Sequence, residues 1–138
     1  MAITSPETIF VDSSAVFAVL DGGDRFHRPA REAWSHWVEE ETPLLTSNYV
    51  VLEATALIRN RLGMRAVGDL HRALLPMLQV EWVTRVIHEE GVNLLLTANQ
   101  RRLSLVDCTS FEMMRRLELH NVFTFDQHFA EQGFICLP

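Results

Sequence analysis

The chain has 138 residues, 48% of them hydrophobic and 22% charged, which predicts one domain over residues 1–138 with a real core and no membrane span. Its net charge is −6 and all 12 basic residues are arginine, so bulk electrostatic attraction to nucleic acid is excluded. Any nucleic-acid partner must be held by local arginines or through bound cations. Two cysteines, Cys108 and Cys136, are too few for a disulfide framework or a zinc site, and no basic leader precedes an apolar core, so a reduced cytoplasmic setting is expected.

In chain order, Thr8-Ile9-Phe10-Val11 reads as a first strand, followed by a helix from Ser13 to about Leu20. After the loop Asp21-Gly22-Gly23-Asp24, a helix is expected from about Arg25 to Glu40. Its Ala30, Ala33, Trp34 and Trp37 recur at helical spacing, which favours packing over base stacking for the tryptophans. Leu44-Leu45-Thr46 is a second strand. Ser47 or Asn48 caps a helix from about Tyr49 to Arg61, and Gly63 breaks it. A further helix is expected from Met64 to Leu75, ended by Pro76, then a third strand over Val80-Glu81-Trp82-Val83. Thr84 caps a helix reaching about Asn99, with Gly91 as a weak point in it. Another helix runs from Asp107 to about Glu118, with Met113 and Met114 as core or interface filler. Asn121–Phe125 is a fourth strand and Gly133-Phe134-Ile135 a candidate fifth. Strands alternating with helices predict an α/β fold around a parallel sheet, with the ligand site beyond the carboxyl ends of the strands.

Acids stand where that rule points. Asp12 follows Ile9-Phe10-Val11, Asp126 follows Val122-Phe123-Thr124-Phe125, and Asp107 follows Leu103-Ser104-Leu105-Val106 where helical sequence begins. Each taken alone is adequately explained as a helix cap. Glu53 is not, because it shares a helix face with Val50, Ala54, Leu57 and Ile58. A carboxylate on an inward face must be paired, with a distant arginine as the ordinary partner, or must bind a metal. Four converging carboxylates call for a hard cation with oxygen ligands, hence Mg²⁺ or Mn²⁺ rather than zinc. Such ions also attract phosphate, which reconciles an acidic protein with a nucleic-acid substrate. Ser13, Ser14 and Ser110 are candidate helpers for a metal water or a phosphate, with local capping as the competing role. Arg115-Arg116 are candidate phosphate contacts. His27 and His128 invite an acid–base role, but six scattered histidines without ligand spacing favour packing or surface roles.

The segments IFVDSSA, TSNYVVLEA, LSLVDCTSFEMMRR and VFTFDQHFAEQGF resemble, in order and spacing, the four acidic motifs of PIN-domain ribonucleases of the VapC toxin branch. The resemblance implies a three-layer α/β/α PIN fold with a short central parallel sheet. It implies Mg²⁺- or Mn²⁺-dependent hydrolysis of RNA by Asp12, Glu53, Asp107 and Asp126, acting as metal ligands directly or through water. It also implies a homodimer and inhibition by a cognate, VapB-like antitoxin. Two other families that gather acids at strand ends, response-regulator receivers and haloacid-dehalogenase phosphatases, rely on a lysine, and this chain has none. The remaining alternatives are a PIN-type nuclease acting on DNA or in RNA processing without an antitoxin, and a module that binds RNA or an antitoxin without cleaving.

Overall fold

The computed structural model describes residues 3–138. Five strands, β1 (Ile9–Val11), β2 (Leu44–Ser47), β3 (Gln79–Glu81), β4 (Asn121–Phe123) and β5 (Ile135–Leu137), form one sheet in the order β3-β2-β1-β4-β5. Every pairing is parallel. The helices are α1 (Ser13–Leu20), α2 (His27–Glu39), α3 (Asn48–Leu62), α4 (Met64–Asp69), α5 (Arg85–Ala98), α6 (Leu105–Arg116) and α7 (His128–Glu131).

Both faces of the central strands β1, β2 and β4 are buried, and the two-residue period of each strand sorts its side chains between them. Ile9, Val11, Leu44 and Phe123 join α1, α2, Ala54 and Ile58 of α3, and Leu70 in one core. Phe10, Leu45 and Val122 join Val50, Ile87 and the inner face of α6 in the other. The result is the expected three-layer α/β/α arrangement. From β1 the chain moves outward to β2 and β3, then returns to β4 on the other side of β1. The strand order therefore reverses between β1 and β4, and the crevice beyond their carboxyl ends is where such sheets place a ligand.

Several element boundaries differ from the sequence reading. The third strand is Gln79–Glu81, because its ladder ends where Ser47 pairs with Glu81 and β2 turns into α3; Trp82 beyond it is exposed. The fourth strand stops at Phe123, because the Asp126 N–H turns back to the Thr124 hydroxyl. The helix expected over 64–75 is α4 followed by a π turn over Leu70–Leu74 and a 3₁₀ turn over Leu75–Met77. Pro76 has no N–H to give to the preceding turn, so the regular ladder does not continue into it. The second helix begins at His27, with Arg25 and Phe26 in the loop before it. The four-residue α7 is too short to leave a periodic signal. Gly63 ends α3 at φ 88°, a conformation that favours glycine.

Gly91 is not a weak point but a point of close approach. A Cβ built on it would lie 2.6 Å from the Thr109 methyl and 3.2 Å from the Thr109 backbone nitrogen on α6. Gly91→Ala would gain about 1 kcal/mol of helix propensity and meet an overpacking cost of about 1–3 kcal/mol. Overpacking wins here because backbone, and not only a side-chain tip, blocks the new methyl. Thermal unfolding of Gly91→Ala is expected several degrees below the parent; an unchanged or raised Tm would refute the close packing of α5 on α6.

Candidate active site

Asp12, Glu53, Asp107 and Asp126 are brought together at the crevice between β1 and β4, each by a different local device. Asp12 sits directly after β1, and its N–H still donates to the Phe123 carbonyl of β4 at 3.0 Å. Its Oδ2 accepts from the hydroxyls of Ser14 at 2.8 Å and Thr124 at 2.9 Å. Those hydroxyls in turn accept from the backbone N–H groups of Phe125 and Asp126, at 3.1 and 3.0 Å. The chain leading into Asp126 is thus tied to Asp12. Asp126 accepts from the His128 N–H through Oδ1 at 2.9 Å.

Glu53 lies in the second turn of α3, whose Val50, Ala54 and Ile58 are buried, so the inward face expected from spacing is observed. Its Oε1 accepts a short hydrogen bond from the Ser13 hydroxyl. A distant arginine is not its partner: among the described residues no ion pair includes Glu53. Asp107 is not the first cap of its helix. Ser104 is the cap, its hydroxyl accepting the Asp107 N–H at 3.0 Å, while Asp107 Oδ2 accepts the Ser104 N–H at 3.0 Å. This reciprocal box starts α6 two residues earlier than expected and points Asp107 into the crevice from the first helical turn.

The electrostatics follow from burial and crowding. Burial pushes the Asp12 carboxyl up to about 6, and Asp107 adds to the rise, against the hydrogen bonds from Ser14 and Thr124. Glu53 is raised by burial, then by Asp12 and Asp126; Asp107 is raised by burial, then by Asp126 and Glu53. No arginine contributes to any of these three shifts. Among the described residues no group of three or more His, Cys, Asp or Glu is already arranged around one cation position. Each acid is instead held at one oxygen by a hydroxyl or an amide of its own.

Whether these residues suit a hard cation is tested by Asp12. It is 2% exposed, and its Oδ1 is the single buried side-chain oxygen or nitrogen without a hydrogen-bond partner among the described residues. A buried carboxylate oxygen with no donor is costly unless a cation or a proton meets it. The neighbouring groups are carboxylates and hydroxyls, which is oxygen chemistry suited to Mg²⁺ or Mn²⁺ and unsuited to softer ions. The donor set therefore fits.

The remaining candidates part company. Ser13 and Ser14 are at the site, engaged with Glu53 and Asp12. Ser110 is fully buried and donates to the Val106 carbonyl at 2.8 Å, the local backbone role weighed against a phosphate contact. Arg115 lies at the far end of α6 from Asp107; it pairs with Glu112 at 3.0 Å, reaches Gln132, and covers the Phe134 ring. Arg116 pairs with Glu90. Met113 and Met114 are core, and Trp37 packs edge-on against Phe123, so neither pair is a nucleic-acid surface. Sequence reading missed Thr124 and Ser104. The signal for Ser104 was available, as a hydroxyl three residues before an acid at a helix start; Thr124 has none, because its partner is 112 positions away.

The PIN-domain family profile matches residues 9–135. The 23S rRNA-specific endonuclease VapC20 of Mycobacterium tuberculosis is 34% identical over 128 residues, covering 92% of this chain and 95% of that protein. The crystal structure of M. tuberculosis VapC20, described as a sarcin–ricin loop cleaving toxin, superposes with a TM-score of 0.80, covering 92% of this chain and 96% of that one. FitAcB of Neisseria gonorrhoeae shares the fold at a TM-score of 0.68 and 14% identity, covering 94% and 96% of the two chains. A toxin–antitoxin complex from Klebsiella pneumoniae does so at 0.61 and 17%, covering 86% and 87%.

Proposed function

Because the chain belongs to the PIN-domain family, we propose that it is a VapC-type endoribonuclease, the toxin of a toxin–antitoxin pair, acting as a single domain at the Asp12–Glu53–Asp107–Asp126 pocket. The observation that carries the reading is the buried, partnerless Oδ1 of Asp12 among three other acids at the reversal of strand order. Mg²⁺ or Mn²⁺, bound there, supplies a Lewis acid for the phosphoryl oxygens and a water of lowered pKa.

The chain's own residues set up that chemistry. Burial raises the carboxyls of Asp12 and Asp107, so each takes up a proton more readily in the protein alone than an exposed aspartate does, and a bound cation would compete with that proton. Ser14 and Thr124 orient Asp12 and leave its second oxygen open. Ser13 does the same for Glu53, and the Ser104 box does it for Asp107. A cation held by these acids would attract phosphate, which would let an acidic protein act on RNA. The 34% identity to a 23S rRNA-specific endonuclease supports ribosomal RNA as the substrate and the cytoplasm as the setting. An antitoxin partner and a homodimer complete the reading. Exposed Leu52 on α3 and Trp82 after β3 are apolar surface of the kind that assemblies cover. Among the described residues, no helix is long and apolar enough to cross a membrane.

The test is incubation of the protein with 23S rRNA in Mg²⁺, in Mn²⁺ and in excess EDTA. Discrete cleavage is expected in either ion and none in EDTA, with activity restored by adding the ion back. Cleavage that persists under chelation would sink the metal-dependent reading.

A further inference from the structure

The acidic pocket has a rim that the reaction above does not use. Arg25, in the loop before α2, lays its guanidinium 4.4 Å from the centroid of the Phe26 ring. Phe26 stacks on Phe125, with centroids 4.6 Å apart and planes within 6°. Phe125 immediately precedes Asp126. The same Phe125 lines a cleft of about 330 Å³ with Asp126, Gln127 and His128, and with Arg102 from the loop between α5 and α6. Two loops far apart in sequence thus bring guanidinium groups to one short stretch of the site.

Neither arginine is occupied elsewhere. Both are exposed, and neither forms an ion pair among the described residues, whereas Arg28, Arg115 and Arg116 do. The acids in the loop of Arg25 are turned to backbone, Asp21 accepting from the Gly23 N–H and Asp24 from the Phe26 N–H. Glu131, also in the cleft, faces the His128 ring at 3.3 Å. A guanidinium lying on an aromatic face is held in place while its N–H edge stays available for a planar anion. On a protein of net charge −6, RNA phosphates outside the metal's reach need local cations.

We infer that Arg25 and Arg102 form a phosphate-seating rim beside Asp126, gripping the RNA nucleotides that flank the scissile bond. The inference rests on the ribonuclease reading and adds substrate-positioning residues to it. The probe is an RNA oligonucleotide carrying the sarcin–ricin loop, cleaved in Mg²⁺ by the full chain at several salt concentrations. Arg25→Gln and Arg102→Gln are each expected to raise KM about five- to tenfold with kcat within about twofold. Each should also flatten the dependence of log kcat/KM on log salt by about 0.7, the loss of one phosphate contact to single-stranded RNA. Arg25→Lys and Arg102→Lys should recover most of the salt dependence, and Arg28→Gln, whose side chain pairs with Glu32 on the surface of α2, should change neither quantity. Unchanged KM and salt slope in both glutamine variants, with the parent chain active, overturn the rim and leave the ribonuclease reading standing. A parent chain that cleaves no RNA removes both.

Discussion

Asp12→Asn is expected to lower RNA cleavage by about a thousandfold or more while making the metal-free protein less sensitive to pH. The first effect follows from the place of Asp12: it is buried, held at Oδ2 by two hydroxyls, and without a hydrogen-bond partner at Oδ1. An amide in that position is a poor ligand for a hard cation, and the charge stabilisation such a cation supplies is worth several kcal/mol, with each 1.36 kcal/mol a factor of ten in rate. The second effect follows from the raised pKa. Asp12 titrates near 6 in the fold against 3.8 in an unfolded chain, so between these values the folded state binds the extra proton. Stability from this group is fully present below about pH 4 and is lost as pH rises through about 6, a loss on the order of 2–3 kcal/mol. Asparagine has no such proton to lose. In EDTA, the fall in stability between pH 4 and pH 7 should therefore shrink in Asp12→Asn by that order, as measured by denaturant unfolding. A variant that keeps near-parental activity, or one whose stability falls with pH as steeply as the parent's, would contradict the assignment of Asp12.

The cleavage rate of the parent protein should itself rise about tenfold per pH unit from pH 5 toward pH 6 and level off above. Cation binding at this site requires the ionised carboxylate, and the proton competes for the same oxygen. Because Glu53 and Asp107 are also raised by burial and by their neighbours, the limb belongs to the group and is expected to be at least that steep. Competition gives a sharper check than the slope alone. Increasing the Mg²⁺ concentration tenfold should move the midpoint of the limb to lower pH, by up to about one unit for one displaced proton. A profile flat from pH 5 to 7, or a midpoint indifferent to metal concentration, would place the titrating group outside the metal site.

Much of this site is legible along the chain. Asp12 is readable because a three-residue apolar strand ends on it, and Glu53 because a carboxylate on the Val50–Ala54–Ile58 face calls for either an arginine or a metal. Asp107 is readable as an acid at a helix start, and Ser104, three residues before it, carries the signature of the box that holds it. Asp126 is readable despite an overlong fourth strand, since the turn that carries it still lies beyond the carboxyl end of β4. Arg115 shows where such reasoning stops. Its closeness to Asp107 in sequence suggested a shared task, but two further turns of α6 carry it to the other end of the helix, onto Glu112 and Phe134.

The sequence by itself pointed to an α/β fold around a parallel sheet and offered the four acids as candidates for its site. Strand alternation, helical faces and caps act within a few residues, and hydrophobic burial makes those local patterns decide which side of an element turns inward. Only the tertiary structure decided which groups serve the acids and which cations border them. Thr124 reaches Asp12 because β1 and β4 are neighbours at the reversal of strand order; Phe26, which carries Arg25 on its ring, stacks on Phe125, and Arg102 shares a cleft with that same Phe125. Long side chains and hydroxyls act over a few ångströms. Which of them meet is set by how whole elements pack and not by their separation along the chain.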